Sequence, residues 1–133
     1  MNRYEFDFGV YECHPHYIIA EPKEGAFIDK REVRQIIDMV NQNYDSPFGF
    51  ISNRALPSSG NLAIYEIVKK MVPLLRALAI VSYRPITDIM AETERELLKG
   101  VPFMVFKEID AAKSWVLDQL GVEGRNAEWF PNI

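Results

Sequence analysis

FGFISNRALPSSGNL, residues Phe48–Leu62, joins a short apolar segment to the start of a helix through a polar loop. Phe48, Phe50 and Ile51 form an aromatic, β-prone run that predicts a strand. Ser58-Ser59-Gly60-Asn61 is rich in residues whose side chains cap helices. In open α/β sheets, ligands and partners bind at strand-to-helix loops, beyond the carboxyl ends of the strands. We therefore place the candidate functional site in this loop.

The segments before this stretch predict two strands and one helix. Residues 3–12 alternate between apolar and polar side chains, which is typical of a strand with one solvent-facing side. Residues 13–16 are predicted to form the turn of a hairpin, and the apolar residues 17–20 its buried second strand. Asp29 is predicted to begin the first helix, because Glu32 follows three residues later, as in a capping box.

The segments after it predict alternating helices and strands. Apolar periodicity predicts a helix over about 61–72, which ends before a proline. Residues 78–81 are apolar without alternation, as in a central strand covered on both faces. The last strand is predicted at 102–106 and the last helix at about 109–120.

The third predicted helix begins at Pro85 and ends before Gly100, which is a typical C-terminal stop. Three glutamates lie at alternate positions along this helix, namely Glu92, Glu94 and Glu96. Side chains at alternate positions of a helix diverge, so these three are not expected to converge on a cation. We predict that all three face solvent.

The predicted order is β-β-α-β-α-β-α-β-α, which indicates the α/β class. Strands separated by helices favour a single mixed, mainly parallel sheet of five strands with about four helices and an antiparallel hairpin at the start. We predict one domain over residues 1–133, with 121–133 as a C-terminal tail. Trp129 and Phe130 in this tail are expected to pack back onto the domain; the alternative is contact with a second copy of the chain in a homodimer.

Composition limits the classes of function. The chain has 133 residues, of which 48% are hydrophobic and 26% charged, as in an ordinary globular protein. Its net charge of −4 argues against binding nucleic acid, which requires a basic face. A single cysteine excludes an internal disulfide, and no signal peptide or membrane-spanning segment is predicted. We expect a cytoplasmic location.

Cys13, His14 and His16 lie within four residues and require a metal site to be considered. A metal ion needs three or four converging ligands, and the sequence has no distant cysteine or histidine to complete the set. An ordinary turn is therefore expected, with neither a metal nor another cofactor.

Over most of residues 3–120 the chain resembles the SpoIIAA-like branch of the STAS family, whose fold is related to the Sec14 lipid-binding domains. The likeness lies mainly in the order of elements. Its local points are Glu24-Gly25 and Asp29 before the first helix, Ser58-Ser59-Gly60 before the second, and the strand 103–107 followed by a helix with Trp115.

The resemblance implies a regulatory module that docks a protein partner at residues 53–61. In anti-sigma-factor antagonists of this family, an Asp-Ser-Ser/Thr-Gly motif carries a phosphorylated first serine, which corresponds here to Ser58; Pro57 replaces the aspartate. The residues alone favour a simpler role, in which Ser58 or Ser59 caps the second helix. The candidate site residues are Asn53, Arg54, Ser58, Ser59 and Gly60.

The relation to Sec14 domains implies a second class of function, the binding of an apolar small molecule or lipid. The many Phe, Met and Tyr residues agree with such a pocket, but a filled core explains them equally well. A cavity of several hundred cubic ångströms lined by them would favour this class. A solid core with an exposed apolar patch beside Ser58 would favour protein docking. No catalytic motif is recognisable, so we expect no enzyme.

Overall fold

The computed structural model describes residues 1–122. Trp129 and Phe130 of the predicted tail lie outside the described residues. The strands are β1 (Asn2–Phe6), β2 (Gly9–Cys13), β3 (Tyr17–Pro22), β4 (Ala26–Ile28), β5 (Phe48–Arg54), β6 (Ser58–Gly60), β7 (Leu75–Ser82) and β8 (Phe103–Phe106). The helices are α1 (Lys30–Asn43), α2 (Ile64–Met71), α3 (Pro85–Leu97) and α4 (Ile109–Gln119).

Six strands form one mixed sheet in the order β1-β2-β3-β5-β7-β8. The pairs β1–β2 and β2–β3 are antiparallel, whereas β3, β5, β7 and β8 run parallel to one another. The short strands β4 and β6 pair in parallel as a separate sheet. The predicted mainly parallel α/β sheet with an initial hairpin is confirmed, but the main sheet has six strands where five were predicted.

The additional strand comes from residues 3–12, which the alternation predicts as one strand and which form the β1–β2 hairpin. Phe6 pairs with Gly9, so Asp7 and Phe8 make a two-residue turn. Phe8 remains buried within the turn, and its ring stacks on that of Phe6 with centroids 5.0 Å apart. The apolar alternation therefore continues through the turn and conceals it in the sequence.

The predicted capping box at the start of α1 is confirmed. The Lys30 backbone N–H donates to the Asp29 carboxylate at 2.8 Å, and the Asp29 N–H donates to Glu32 Oε1 at 2.9 Å. These two bonds satisfy backbone donors that the first helical turn leaves without partners.

Helices cover the main sheet on both faces. On β7, Ala77 and Ala79 pack in one cluster with Val116 of α4, whereas Leu78 and Ile80 pack with α3 on the opposite face. Helices α1 and α2 lie on the same face as α3. The prediction that residues 78–81 form a strand covered on both faces is confirmed.

Candidate functional site

A cavity of about 410 Å³ lies between the main sheet and the inner faces of α1, α2 and α3. Its volume falls within the range of roughly 300–1,000 Å³ that is typical of small-molecule sites. It lies on the sheet face opposite α4, and β2, β3, β5 and β7 contribute side chains to it.

Strand β5 contributes four side chains to one wall of the cavity, and their chemistry changes along the strand. Phe48, Phe50, Ser52 and Arg54 all line the cavity, because alternate residues of a strand face the same side of the sheet. Along β5 the cavity wall therefore changes from two aromatic rings to a hydroxyl and then to a guanidinium group. One end of the site is apolar and the other is polar.

Aliphatic side chains of the helices form the opposite wall. They are Val33, Ile36, Ile37 and Val40 of α1, Ile64 and Val68 of α2, and Met90 of α3 with Leu98 just after it. The four residues of α1 follow helical spacing, so one face of this helix lines the cavity. In α2 only Ile64 is buried, so this helix packs loosely over the cavity and separates it from solvent.

The polar end of the cavity is built around an ion pair between Arg54 and Glu94. Two guanidinium nitrogens of Arg54 donate to the two carboxylate oxygens of Glu94, each at 2.6 Å. The Arg54 Nε–H donates to Ser52 Oγ at 3.1 Å, and the Tyr65 hydroxyl donates to Glu94 Oε1. Arg54 and Glu94 keep only 16% and 7% of their side-chain surface exposed. These four residues form the polar cluster of the site.

Burial and charge pairing set the protonation states within the polar cluster. Burial disfavours the charge on Arg54, but the hydrogen bonds and negative charge of Glu94 outweigh it and raise the pKa of the guanidinium group. Burial, reinforced by the neighbouring Glu94 charge, raises the pKa of the Tyr65 hydroxyl far above its ordinary value. Tyr65 therefore remains a hydrogen-bond donor, and Arg54 remains a cation.

The predicted solvent-facing position of Glu94 is wrong. Glu94 is 5% exposed, whereas Glu92 and Glu96 do face solvent. The buried residues of α3 and its C-cap are Thr87, Ala91, Glu94 and Leu98, which follow helical spacing. Glu94 belongs to this buried stripe, and Arg54 supplies the opposite charge that burial of a carboxylate requires.

The predicted role of Ser58 or Ser59 as the cap of the second helix is also wrong. Ser58–Gly60 form β6, in which Ser58 pairs with Ala26 of β4. No side chain caps α2 at its N-cap residue, and the Asn61 side chain accepts a hydrogen bond from the Ala63 N–H at 2.9 Å. Pairing with β4 holds the serines in an extended conformation ahead of the helix.

The structure brings four of the five candidate residues to the cavity. Arg54, Ser58, Ser59 and Gly60 line it, and Asn53 does not. The Asn53 side chain instead accepts a hydrogen bond from the Tyr83 hydroxyl at 2.7 Å.

Ser52, Tyr65 and Glu94 were not identified from the sequence. Strand alternation from Phe50 to Arg54 was a sufficient signal for Ser52, and the helical stripe of α3 was one for Glu94. Tyr65 shows no comparable pattern, because its role depends on where α2 packs.

The turn at Cys13–His16 forms as predicted, between β2 and β3. The Tyr44 hydroxyl lies 2.6 Å from the backbone oxygen of His14 and 2.9 Å from that of Tyr17. Among residues 1–122, no three His, Cys, Asp or Glu side chains are grouped closely enough to hold a metal ion. The expectation that the protein contains no metal stays a prediction.

Within the part of the chain that the structure describes, no helix has the length and apolar character needed to cross a membrane.

A scan against protein-family models found no match, and neither did a search of curated proteins. Among solved structures, the chain is similar to an uncharacterized protein of the DUF3478 family from Shewanella loihica PV-4, which has a SpoIIAA-like fold. The TM-score is 0.56, and the match covers 86% of this chain and 90% of that one.

The fold is SpoIIAA-like. This confirms the predicted resemblance at the level of the fold. Because the two chains are only 10% identical, the likeness concerns the fold alone.

Proposed function

We propose that this protein binds an apolar small molecule in the cavity between the main sheet and helices α1–α3. The cavity itself is the observation that carries the proposal. Its walls are largely aliphatic and aromatic, and the polar cluster of Ser52, Arg54, Tyr65 and Glu94 lies at one end, as in sites that bind and orient small organic ligands. Transfer of an apolar ligand from water onto these walls gains about 25 cal/mol for each Å² buried.

The proposed function is binding without catalysis. Both carboxylate oxygens of Glu94 accept hydrogen bonds from Arg54, and Tyr65 donates to the same carboxylate. A general base needs a carboxylate that can reach a proton of the substrate. The arrangement therefore favours a fixed polar anchor over a proton-transfer group.

A second candidate function is the regulatory docking of a protein partner at residues 53–61. Leu56 and Leu62 beside this segment are 45% and 51% exposed, and Phe27 of the neighbouring β4 is 52% exposed. Exposed apolar side chains of this kind occur at protein interfaces. Phosphorylation of Ser58 would belong to this function.

We place either function in the cytoplasm, because the chain has a single cysteine, Cys13, which is buried and free.

The test is native mass spectrometry of the protein purified without denaturation, with extraction and identification of the bound compound. Val68 of α2 lines the cavity, so Val68→Trp places an indole ring in the space that the ligand would fill. Lys69 is exposed on the same helix, and Lys69→Trp is the matched control. We expect wild type and Lys69→Trp to carry the same small molecule, and Val68→Trp to lose most of it.

Equal occupancy in the two tryptophan variants would contradict binding in the cavity, provided that both fold. A preparation that carries no small molecule but a stoichiometric protein partner would favour docking at residues 53–61 instead.

A further inference from the structure

We infer that the ligand is a neutral amphiphile, with one apolar chain and an uncharged hydroxyl or carbonyl head that binds beside Arg54 and Glu94. This inference rests on the proposed function and adds the chemical class of the ligand. It follows from the direction of the cavity, from the balance of charge at its polar end, and from the hydrogen-bonding groups at that end.

The change of lining along β5 suits an elongated molecule with two different ends. Phe48 and Arg54 are six residues apart on β5, which corresponds to about 20 Å at a rise of about 3.3 Å per residue. The aromatic end can bind only an apolar group well. The volume of about 410 Å³ is near the lower end of the usual range for ligand sites, which suits a single chain.

The balance of charge at the polar end disfavours a charged head. Arg54 and Glu94 neutralise each other through two hydrogen bonds of 2.6 Å, so their pair has no net charge. A carboxylate head would lie against the Glu94 carboxylate, and an ammonium head against the Arg54 guanidinium group. Like charges repel strongly where water is largely excluded, and the head would also lose its hydration.

Hydrogen-bonding groups remain for a neutral head. The hydrogen bonds to Ser52 and Glu94 use three of the five N–H groups of the Arg54 guanidinium group. The Ser52 hydroxyl, which accepts from Arg54, still has its own O–H to donate. The Tyr65 oxygen, which donates to Glu94, can still accept. A hydroxyl or carbonyl head can use these groups without bringing a charge.

The experiment compares decanol, decanoate and decane, which share one chain length and differ in the head. Dissociation constants are measured at pH 7.5, where decanoate is ionised because a carboxyl group has a pKa near 4. For wild type we expect decanol to bind at least about tenfold more tightly than decanoate, because the charged head would lose its hydration beside Glu94. Decane measures the affinity that the apolar chain has without a head.

Glu94→Gln removes the negative charge and leaves Arg54 as an uncompensated cation. We expect this variant to reverse the preference, so that decanoate binds more tightly than decanol. Glu92→Gln is the matched control on an exposed position of the same helix, and it should keep the wild-type preference. The double variant Arg54→Gln, Glu94→Gln is again neutral and should also prefer decanol.

The outcomes separate this inference from the proposed function. Wild type that binds decanoate as tightly as decanol would overturn the neutral head and leave small-molecule binding in place. Wild type that binds none of the three would overturn the proposed function as well. If Glu94→Gln does not fold, the wild-type ratio and the double variant still decide, because the double variant has no net charge at this end and must keep the preference for decanol over decanoate.

Discussion

At the scale of single residues, Arg54 and Glu94 form an ion pair in which Glu94 is buried and Arg54 is mostly buried. Removing two charges from water costs several kcal/mol for each ion, and their mutual attraction offsets this only with good geometry and further hydrogen bonds. Here the geometry is bidentate, and Ser52 and Tyr65 supply the further hydrogen bonds. Apolar side chains of similar volume would stabilise the fold as well, so stability alone does not account for the pair.

Removal of one partner should therefore cost more stability than removal of both. Glu94→Leu leaves the Arg54 charge buried without compensation, and we expect a loss of about 3 kcal/mol, the lower end of the usual cost because Arg54 is partly exposed. The double variant Arg54→Met, Glu94→Leu should unfold within about 1 kcal/mol of wild type. Urea denaturation of the wild type, both single variants and the double variant measures the coupling. Additive losses would show that the pair makes no specific contribution.

At the scale of elements, the packing of α4 on β5 depends on one glycine. Gly49 faces α4, and a Cβ placed on it would collide with Cγ1 of Val116, which is fully buried. The absence of a side chain at Gly49 therefore lets the helix approach the centre of the sheet. The other face of β5 lines the cavity. The packing of α4 against Gly49 therefore also supports the position of Phe48 and Phe50.

We predict that Gly49→Ala destabilises the protein by about 1–3 kcal/mol, because the added methyl overpacks a closed interface. The measurement is the midpoint and slope of urea unfolding. Val116→Ala removes the colliding methyl, so the added cost of Gly49→Ala should be smaller in that background. A cost unchanged by Val116→Ala would place the strain elsewhere on β5.

Sequence patterns predicted the elements best where the pattern is local. The capping box at Asp29 and the helix start at Pro85 are set by neighbouring residues and are confirmed. Ser58–Gly60 form a strand because they pair with β4, a segment about thirty residues earlier that no local pattern reveals. Glu94 was predicted to face solvent because it is charged. Its helical spacing from Ala91 and Leu98 would have assigned it to the buried face.

At the scale of the whole molecule, the order of elements predicted the mainly parallel sheet but did not predict the cavity. Helices that separate parallel strands must cross the faces of the sheet, which limits the topology to few choices. Whether aromatic and aliphatic side chains fill a core or line a cavity depends on how close α2 comes to the sheet. Ile64 and Val68 fit either arrangement by sequence alone. The cavity is thus a property of three-dimensional packing.

Segments from most of the described chain line the cavity, from Tyr11 in β2 to Leu98 after α3. The site therefore exists only in the folded protein, and a ligand that enters it must stabilise folding by mass action. With free decanol at about 100 times its dissociation constant, the gain is about 2.7 kcal/mol. For a chain of this length, that gain raises Tm by roughly 10 °C.

Thermal unfolding with and without decanol is the measurement, and Val68→Trp and Lys69→Trp are the paired variants. Lys69→Trp should show the wild-type rise, because its indole lies outside the cavity, and Val68→Trp should show little or none at the same concentration. A medium-chain alcohol also binds exposed apolar surface in unfolded chains, which lowers Tm, so this opposing effect is present in all three proteins and cancels in the comparison. Equal shifts in the two variants would mean that decanol stabilises the protein from outside the cavity.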